Sequence, residues 1–503
     1  MAALESSASI RIILLWLLAV GVVYALAGPV ASTAPSTTLM LALGFVVIII
    51  AFMSTEAAIY ILICSMLLSP EFGATEGGVA EARSVTVRAD DFLILLIGFS
   101  WLARTAIQKE LGLFPHTPLN RPIITYIVAC AFPTALGIMV GRVQGLSGVF
   151  YLLKYIEYFI IFFMIINYVY SEKLARSFVM VALITCALVS VYGILQIPGG
   201  GRVSAPFEGQ AGEPNTFGGY LVLMLSIVMG LYLTSTDRRT KRWLLILAAL
   251  IIIPLLFTLS RASWAAAAGM YITLIIFSNR RGMLIGVGVL MAAMAPLVLP
   301  QQVTLRAIST FQAERGYRAT EQLGGLALDP SASARVTTNR LAFEAWQDNP
   351  IWGYGITGSG VFLDSQYFRT LVELGVIGLV AFLWLTWSAL KIGKHSYVHG
   401  KSEYSRGLSL GYMAGLVALM VHGIGSTTFI IIRIMEPFWL LTAIVMLYPT
   451  LEEVEEEVDE EMKEEQQAIR PGLGRTSSAR VLAEKRVLRA RDLVRSHLKD
   501  ERW

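Results

Sequence analysis

Three arginines stand out by the company they keep. Arg202 follows Gly199-Gly200-Gly201 and precedes Glu208, Glu213, Pro214 and Asn215. Arg261 sits in Ser260-Arg261-Ala262-Ser263-Trp264. Arg335 heads a stretch that holds Arg340, Glu344, Trp346, Asp348 and Asp364. A guanidinium suits a phosphate or diphosphate because its planar fork gives paired charge-assisted hydrogen bonds and it never loses its charge. Ionisable groups at or near membrane depth are costly, so each is a functional candidate. Several arginines at the outer ends of apolar segments, with no row of acids running through those segments, suit a lipid diphosphate better than a proton or metal pathway. Interfacial Arg also snorkels to headgroups without any further role. The Gly, Ser and Trp surroundings lift these three above that plainer reading.

Few other chemistries are available. Of the five histidines, His116, His395, His399 and His497 fall on the cytoplasmic side of the topology below. His422 alone, in Val421-His422-Gly423-Ile424-Gly425, lies near the outer face, so no metal site and no metal cofactor are expected. There is no Walker loop, and Gly472-Leu473-Gly474 lacks the strand–helix context of a dinucleotide site. A catalyst built from these residues takes a pre-activated donor. It relies on Arg as electrophile and on a carboxylate or His422 as base.

The elements that must position these groups are membrane spans. Of 503 residues, 55% are hydrophobic and 15% charged, and the mean hydropathy is +0.64. Soluble domains carry about 25% charged residues. A spanning helix needs ~20 mostly apolar residues, and such segments recur from Ile12 to Leu447. Fourteen candidates run over 12–28, 39–53, 55–69, 91–104, 123–140, 149–170, 177–197, 217–234, 243–259, 262–278, 283–299, 368–390, 407–424 and 429–448. Several are short, so 12 to 14 spans are expected in an all-α polytopic fold. Cytoplasmic loops collect Lys and Arg. With the N-terminus inside, inner loops hold fifteen such residues and the short outer loops five, namely Arg83, Arg88, Arg142, Arg202 and Arg261. Both termini are then cytoplasmic, and residues 300–367 form one long outer loop. The net charge of +4 reflects these loops and does not point to nucleic acid.

Residues 1–450 read as one transmembrane unit and 451–503 as a cytoplasmic tail. The tail opens with ten acids between Glu452 and Glu465, around Val454, Val458 and Met462. Pro471-Gly472 breaks it, and ten Lys or Arg follow from Arg470 to Arg502, with Val481, Leu482, Leu488, Leu493, Val494 and Leu498 as an apolar stripe. A charged solubilising tail, a basic helix on anionic lipid, or pairing with the acidic run all fit. Cys64, Cys130 and Cys186 sit in apolar runs as packing residues. Ala25-Leu26-Ala27 resembles a signal-peptidase site, but Glu5 and a single cation, Arg11, before it favour an uncleaved first span.

The run Ala345-Trp346-Gln347-Asp348-Asn349-Pro350-Ile351-Trp352-Gly353-Tyr354-Gly355 is followed by Asp364-Ser365-Gln366-Tyr367 and Leu371-Val372-Glu373-Leu374-Gly375-Val376-Ile377-Gly378. With the Ser-Arg-Ala-Ser-Trp turn, and with Arg202 ahead of Pro214-Asn215 and Tyr220-Leu221, this order resembles the O-antigen ligase and polymerase superfamily. The resemblance is strongest over 200–390 and leaves out the tail. It implies a glycosyltransferase of the bacterial plasma (inner) membrane with an outward-facing site. The donor would be a glycan on undecaprenyl diphosphate, with no cofactor. Membrane lipid and other polysaccharide assembly proteins are the implied partners. By matching position, Arg202 and Arg261 would hold the diphosphate, with Arg335 a further cation.

Ligases of the family usually carry His-Asn where this chain has Asp364-Ser365. Asp there is more like the polysaccharide-polymerase branch, so polymerisation of lipid-linked repeat units is expected ahead of ligation to lipid A core or protein. The change leaves the base open between Asp364 and His422. Trp346, Trp352 and Tyr367 are candidates to stack on sugar rings, although interfacial aromatic belts explain them equally well. Pro350, Gly353 and Gly355 shape the loop. A transporter, for an anion such as bicarbonate, is the third reading. It would favour internal repeats, broken helices and midplane charges, and no repeat is evident.

Overall fold

The computed structural model describes residues 46, 49–50, 54–69, 71–72, 87–88, 91, 93–99, 115–208, 212–309, 322–323, 326–327, 330–360, 363–468, 486–494 and 496–497. Contacts divide the chain into Met1–Ile61 and Leu62–Trp503. The expected span 12–28, most of 39–53, the end of 91–104, Ala25-Leu26-Ala27 and Gly472-Leu473-Gly474 lie outside the described residues.

The chain is a helical, multi-pass membrane protein. Its helices are α1 (Thr55–Leu68), α2 (Asn120–Met139), α3 (Gly145–Tyr168), α4 (Glu172–Gln196), α5 (Pro214–Thr234), α6 (Arg238–Phe257) and α7 (Arg261–Phe277). They continue as α8 (Arg281–Val298), α9 (Gln301–Ile308), α10 (Pro330–Asp348), α11 (Gln366–His399), α12 (Glu403–Gly425) and α13 (Ile432–Ala468). Two two-residue antiparallel ladders are the strands among the described residues. Nine helices there are long and apolar enough to cross a membrane, with α1 and α7 as shorter apolar helices. The expected stretch 300–367 contains α9 and α10.

Helices α5, α12 and α13 form the centre. α12 packs against α5, α7 and α11. Gly407, Gly411 and Gly415 recur every fourth residue on α12 and so share one face. A Cβ at Gly411 would lie 2.6 Å from Ser226 O, and one at Gly230 would lie 2.4 Å from Gly407 O. The backbones meet here because lipid supplies no hydrophobic drive between helices, so close van der Waals contact must hold them. By contrast, α8 buries 6% of its apolar window, as a helix facing lipid does.

One helix departs from its apolar pattern. Gly375 has φ 68° and ψ −169°, which splits α11 in two. The loop after α10 stitches the break: Tyr354 N donates to Val372 O at 3.0 Å, Gly355 N to Glu373 O at 2.8 Å, and Val376 N to Pro350 O at 2.9 Å. Backbone groups freed by a broken membrane helix must find protein partners, and the Pro350–Gly355 run supplies them. The buried Glu373 carboxylate pairs with Arg369 Nε at 3.1 Å and accepts Thr357 N at 3.1 Å.

At the other end, α13 runs on through the acidic segment to Ala468. The helical stretch 486–494 lies against it. Arg489 reaches both Glu461 oxygens at 3.0 and 2.9 Å, Arg486 pairs with Asp459, and His497 lies 3.5 Å from Glu457. Val494, Val454 and Val458 are buried. Acidic–basic pairing is thus present among the described residues of the tail.

Candidate active site

The turn between α6 and α7 is three residues long, Thr258-Leu259-Ser260, with Leu259 at φ 49°. Ser260 caps α7 by accepting Ser263 N at 3.3 Å, which places Arg261 in the helix's first turn. The loop bearing Arg202 is pinned to this turn. Val203 N donates to Phe257 O at 3.1 Å, Arg202 Nε to Thr258 O at 2.9 Å, and Arg202 Nη2 to Asn215 Oδ1 at 3.1 Å. The Arg-to-Pro-Asn spacing noted in the sequence is therefore a direct contact.

Next to Arg261 in sequence, Ser260 and Ser263 belong to a buried chain of hydroxyls and an imidazole. Ser263 Oγ donates to Ser260 Oγ at 2.9 Å and lies 3.2 Å from His422 Nε2, and His422 Nδ1 lies 2.7 Å from Thr428 Oγ1. Ser260, Ser263, His422 and Thr428 are all buried. Gly218 and Gly219 of α5 press on this chain, since a Cβ at Gly219 would lie 3.1 Å from His422 Cε1. Both imidazole nitrogens thus face protein hydroxyls.

Helix α10 lays Arg335 across the junction of α7 and α12. A Cβ at Gly425 would lie 3.4 Å from Ala262 Cβ and 3.7 Å from Arg335 Nη1. Arg335 Nε is 3.5 Å from Asp364 Oδ2, and the Asp364 side chain is 41% exposed, so it is open to an incoming group. The Arg202 guanidinium is held below its ordinary value, first by partial burial and then by the positive charges of Arg306, Arg335 and Arg261. Arg306, Arg335 and Arg261 thus each lie close enough to oppose the charge of Arg202, and an anion bound beside Arg202 would relieve that opposition.

Arg306 was not singled out from the sequence. It occupies the last turn of the eight-residue α9. The available signal was a lone cation one short helix beyond the 283–299 apolar run. Trp264 carries a buried indole N–H with no hydrogen-bond partner among the described residues.

The aromatic candidates are engaged with the scaffold. Trp346 donates to Pro350 O at 3.1 Å and packs on Ala342, Leu363 and Val372. Trp352 meets Phe132 of α2 with ring centroids 4.7 Å apart and keeps 44% of its surface open. Tyr367 donates its hydroxyl to Met420 O at 2.7 Å.

Glu208 organises the Arg202 loop. Its Oε2 accepts Ala205 N at 3.0 Å and Glu213 N at 2.9 Å, and its Oε1 lies 3.6 Å from Arg433 Nη1. Burial pushes its carboxyl up to about 7, against the pull of Arg433 and the two backbone donors. The folded protein therefore holds a proton that the unfolded chain releases near 4.5. This contribution is complete below about 4.5 and is lost as pH rises through about 7, on the order of 3 kcal/mol in all. Melting temperature of the detergent-purified protein should fall over that interval, and Glu208→Gln should flatten the profile.

Comparison with curated proteins gives no significant match. A family model described as O-antigen ligase matches residues 246–383. That interval carries Arg261, Arg306, Arg335, Asp364 and the Gly375 break, while Arg202 and His422 reach the same cluster from outside it. The helical membrane architecture and this match, which spans residues 246–383, both agree with the motif resemblance to the O-antigen ligase superfamily.

Proposed function

We propose that the protein polymerises oligosaccharide repeat units carried on undecaprenyl diphosphate into a cell-surface polysaccharide, at the outer face of a bacterial inner membrane. The observation that carries this reading is the Asp364–Arg335 pair, set beside Arg202, Arg261 and Arg306. An acceptor sugar hydroxyl attacks the anomeric carbon of the donor glycan. The new C–O bond forms as the bond to the diphosphate oxygen breaks, and undecaprenyl diphosphate leaves with the electron pair. Arg202, Arg261 and Arg335 stabilise charge growing on that leaving group, as donors fixed in place before reaction do, and Arg306 adds to the same field. Asp364 accepts the hydroxyl proton, a task that needs direct reach; its exposure supports this, whereas His422 has both ring nitrogens occupied. His422 instead holds the α7 N-terminus, and with it Arg261. Trp352 is the aromatic best exposed to meet a sugar face.

The wider assignment belongs to this proposal. Up to fourteen spans place both termini in the cytoplasm, residues 300–367 outside, and the body (1–450) apart from the tail (451–503), where polysaccharide assembly proteins could dock. Ligation of a finished glycan would use the same chemistry, with lipid A core or a protein as acceptor. The broken helix at Gly375, with the half-buried Arg369 and the buried Glu373 beside it, is a feature that transporters share. Here the Pro350–Gly355 loop occupies the freed backbone groups, so they do not form an open binding site.

Asp364→Asn tests the base. It should lower turnover of lipid-linked repeat units by ~10²-fold or more while donor binding stays within about twofold. Unchanged turnover would remove Asp364 from the proton transfer.

A further inference from the structure

The end of the bundle opposite the arginine cluster holds a second polar site. α5, α7 and α12 each have one end at the cluster, through Asn215, Arg261 and His422. Their other ends, ~25–35 Å away at 1.5 Å per residue, converge on a cavity of about 250 Å³. Leu233, Thr234, Ser278, Asn279, Arg280, Tyr397, Glu403, Arg406 and Leu410 line it.

Most of its polar groups are already engaged. Tyr397 donates its hydroxyl to Phe277 O at 3.1 Å, Ser278 Oγ accepts Arg280 N at 3.1 Å, Thr234 donates to Gly230 O at 3.3 Å, and Glu403 Oε2 accepts Thr236 N and Oγ1 at 2.9 and 3.0 Å. Three donors are not. The side chains of Arg280, Arg406 and Asn279 make no hydrogen bond or ion pair among the described residues. Arg280 is moreover the N-cap residue of α8, whose N-terminus has no side-chain cap. The helix end thus adds its partial positive charge and uncapped N–H groups next to the cavity.

Two guanidiniums, an amide and an uncapped helix start around one cavity make a receptor for a tetrahedral dianion or monoanion. Leu233 and Leu410 provide an apolar flank. We propose that this cavity binds a phosphate group. The group is carried by an anionic phospholipid headgroup, whose acyl chains would follow the apolar flank, or by a soluble phosphate. Basic pockets between helices bind lipid phosphates in this way. Glu403 is the one carboxylate in the lining and opposes the anion, which sets the affinity below what the two arginines alone would give. The site is independent of the glycosyl-transfer reading, because none of its residues touches the arginine cluster.

The test uses the full chain purified in detergent, with retained phosphatidylglycerol read by native mass spectrometry and with inorganic phosphate as competitor. Wild type should retain the lipid. Arg280→Ala/Arg406→Ala should weaken retention at least ~tenfold, while Glu403→Gln should tighten it by about threefold or more, a gain that misfolding does not produce. Retention unaffected by millimolar phosphate identifies the lipid as the source. Displacement by phosphate in wild type, lost in the double variant, identifies a soluble source and still supports the site. Equal binding of both probes by all three proteins would overturn the proposal.

Discussion

Arg261→Ala is expected to abolish glycan chain extension while leaving the protein inserted and folded. The side chain emerges from the first turn of α7, whose start is fixed independently of it by the Ser260 cap and by the Ser263–His422–Thr428 chain. Those contacts stay in place when the guanidinium and its charge are removed. In the proposed reaction that charge faces the diphosphate as it leaves. Loss of one fixed donor of this kind costs ~10²–10³ in rate, and more when the lost donor is a full cation in a site screened from water. Arg261→Lys should recover only part of the rate, because an ammonium lacks the paired geometry of the fork. Full-length polymer in an Arg261→Ala strain with normal protein levels would remove this residue from the diphosphate site.

The second large effect is structural. At Gly375 an added Cβ would lie 2.1 Å from Ile351 O and 2.3 Å from Ile351 C. Both atoms belong to the backbone that stitches the broken helix, so neither can swing aside. The φ and ψ there fall in a region open essentially to glycine alone, and occupying it with another residue costs ~1–3 kcal/mol. The overlap adds a comparable ~1–3 kcal/mol. Gly375→Ala should therefore either straighten α11 or expel the Pro350–Gly355 loop, and both outcomes detach the segment that leads to Asp364. A marked drop in melting temperature, with new protease cleavage within residues 350–360, is the expected result. A melting temperature equal to that of the wild type would mean the interlock does not hold the loop.

Much of this architecture is written locally. The apolar runs at 123–140, 149–170, 177–197, 217–234, 243–259, 262–278, 283–299, 368–390, 407–424 and 429–448 each coincide with a helix, because twenty apolar residues in lipid have few other ways to satisfy their backbone. The break at Gly375 is not local. Leu371 to Gly378 reads as an ordinary apolar helix, and its carbonyls are freed only because a loop some twenty residues earlier replaces the lost partners. The same loop explains why Pro350, Gly353 and Gly355 recur at that spacing: a Cβ at Gly353 would strike Glu373 C at 2.5 Å.

The candidate site was legible in part. Arg202, Arg261 and Arg335 could be singled out because an arginine among glycines, serines and tryptophan at the end of an apolar run is an unusual expense. Arg306 could not, since nothing in Gln301–Ile308 says which cluster its helix end will approach. His422 illustrates the opposite difficulty. Its type and position mark it as a base, while its enclosure between Ser263 and Thr428 depends on Gly218, Gly219 and the turn after α12. In the tail, opposite charges on either side of Pro471-Gly472 leave a solubilising tail, lipid binding and pairing all open. The pairing rests on the length of α13, which carries Asp459 and Glu461 to where Arg486 and Arg489 can reach them.

The most direct test of the central claim is the pattern of lipid-linked glycans in cells lacking this protein, resolved by gel. Polymerisation at the Arg202–Arg261–Arg335 site predicts that single repeat units accumulate on the lipid carrier and that long polymer disappears. Long polymer left on the carrier, or glycan pools identical to those of the parent, would contradict it.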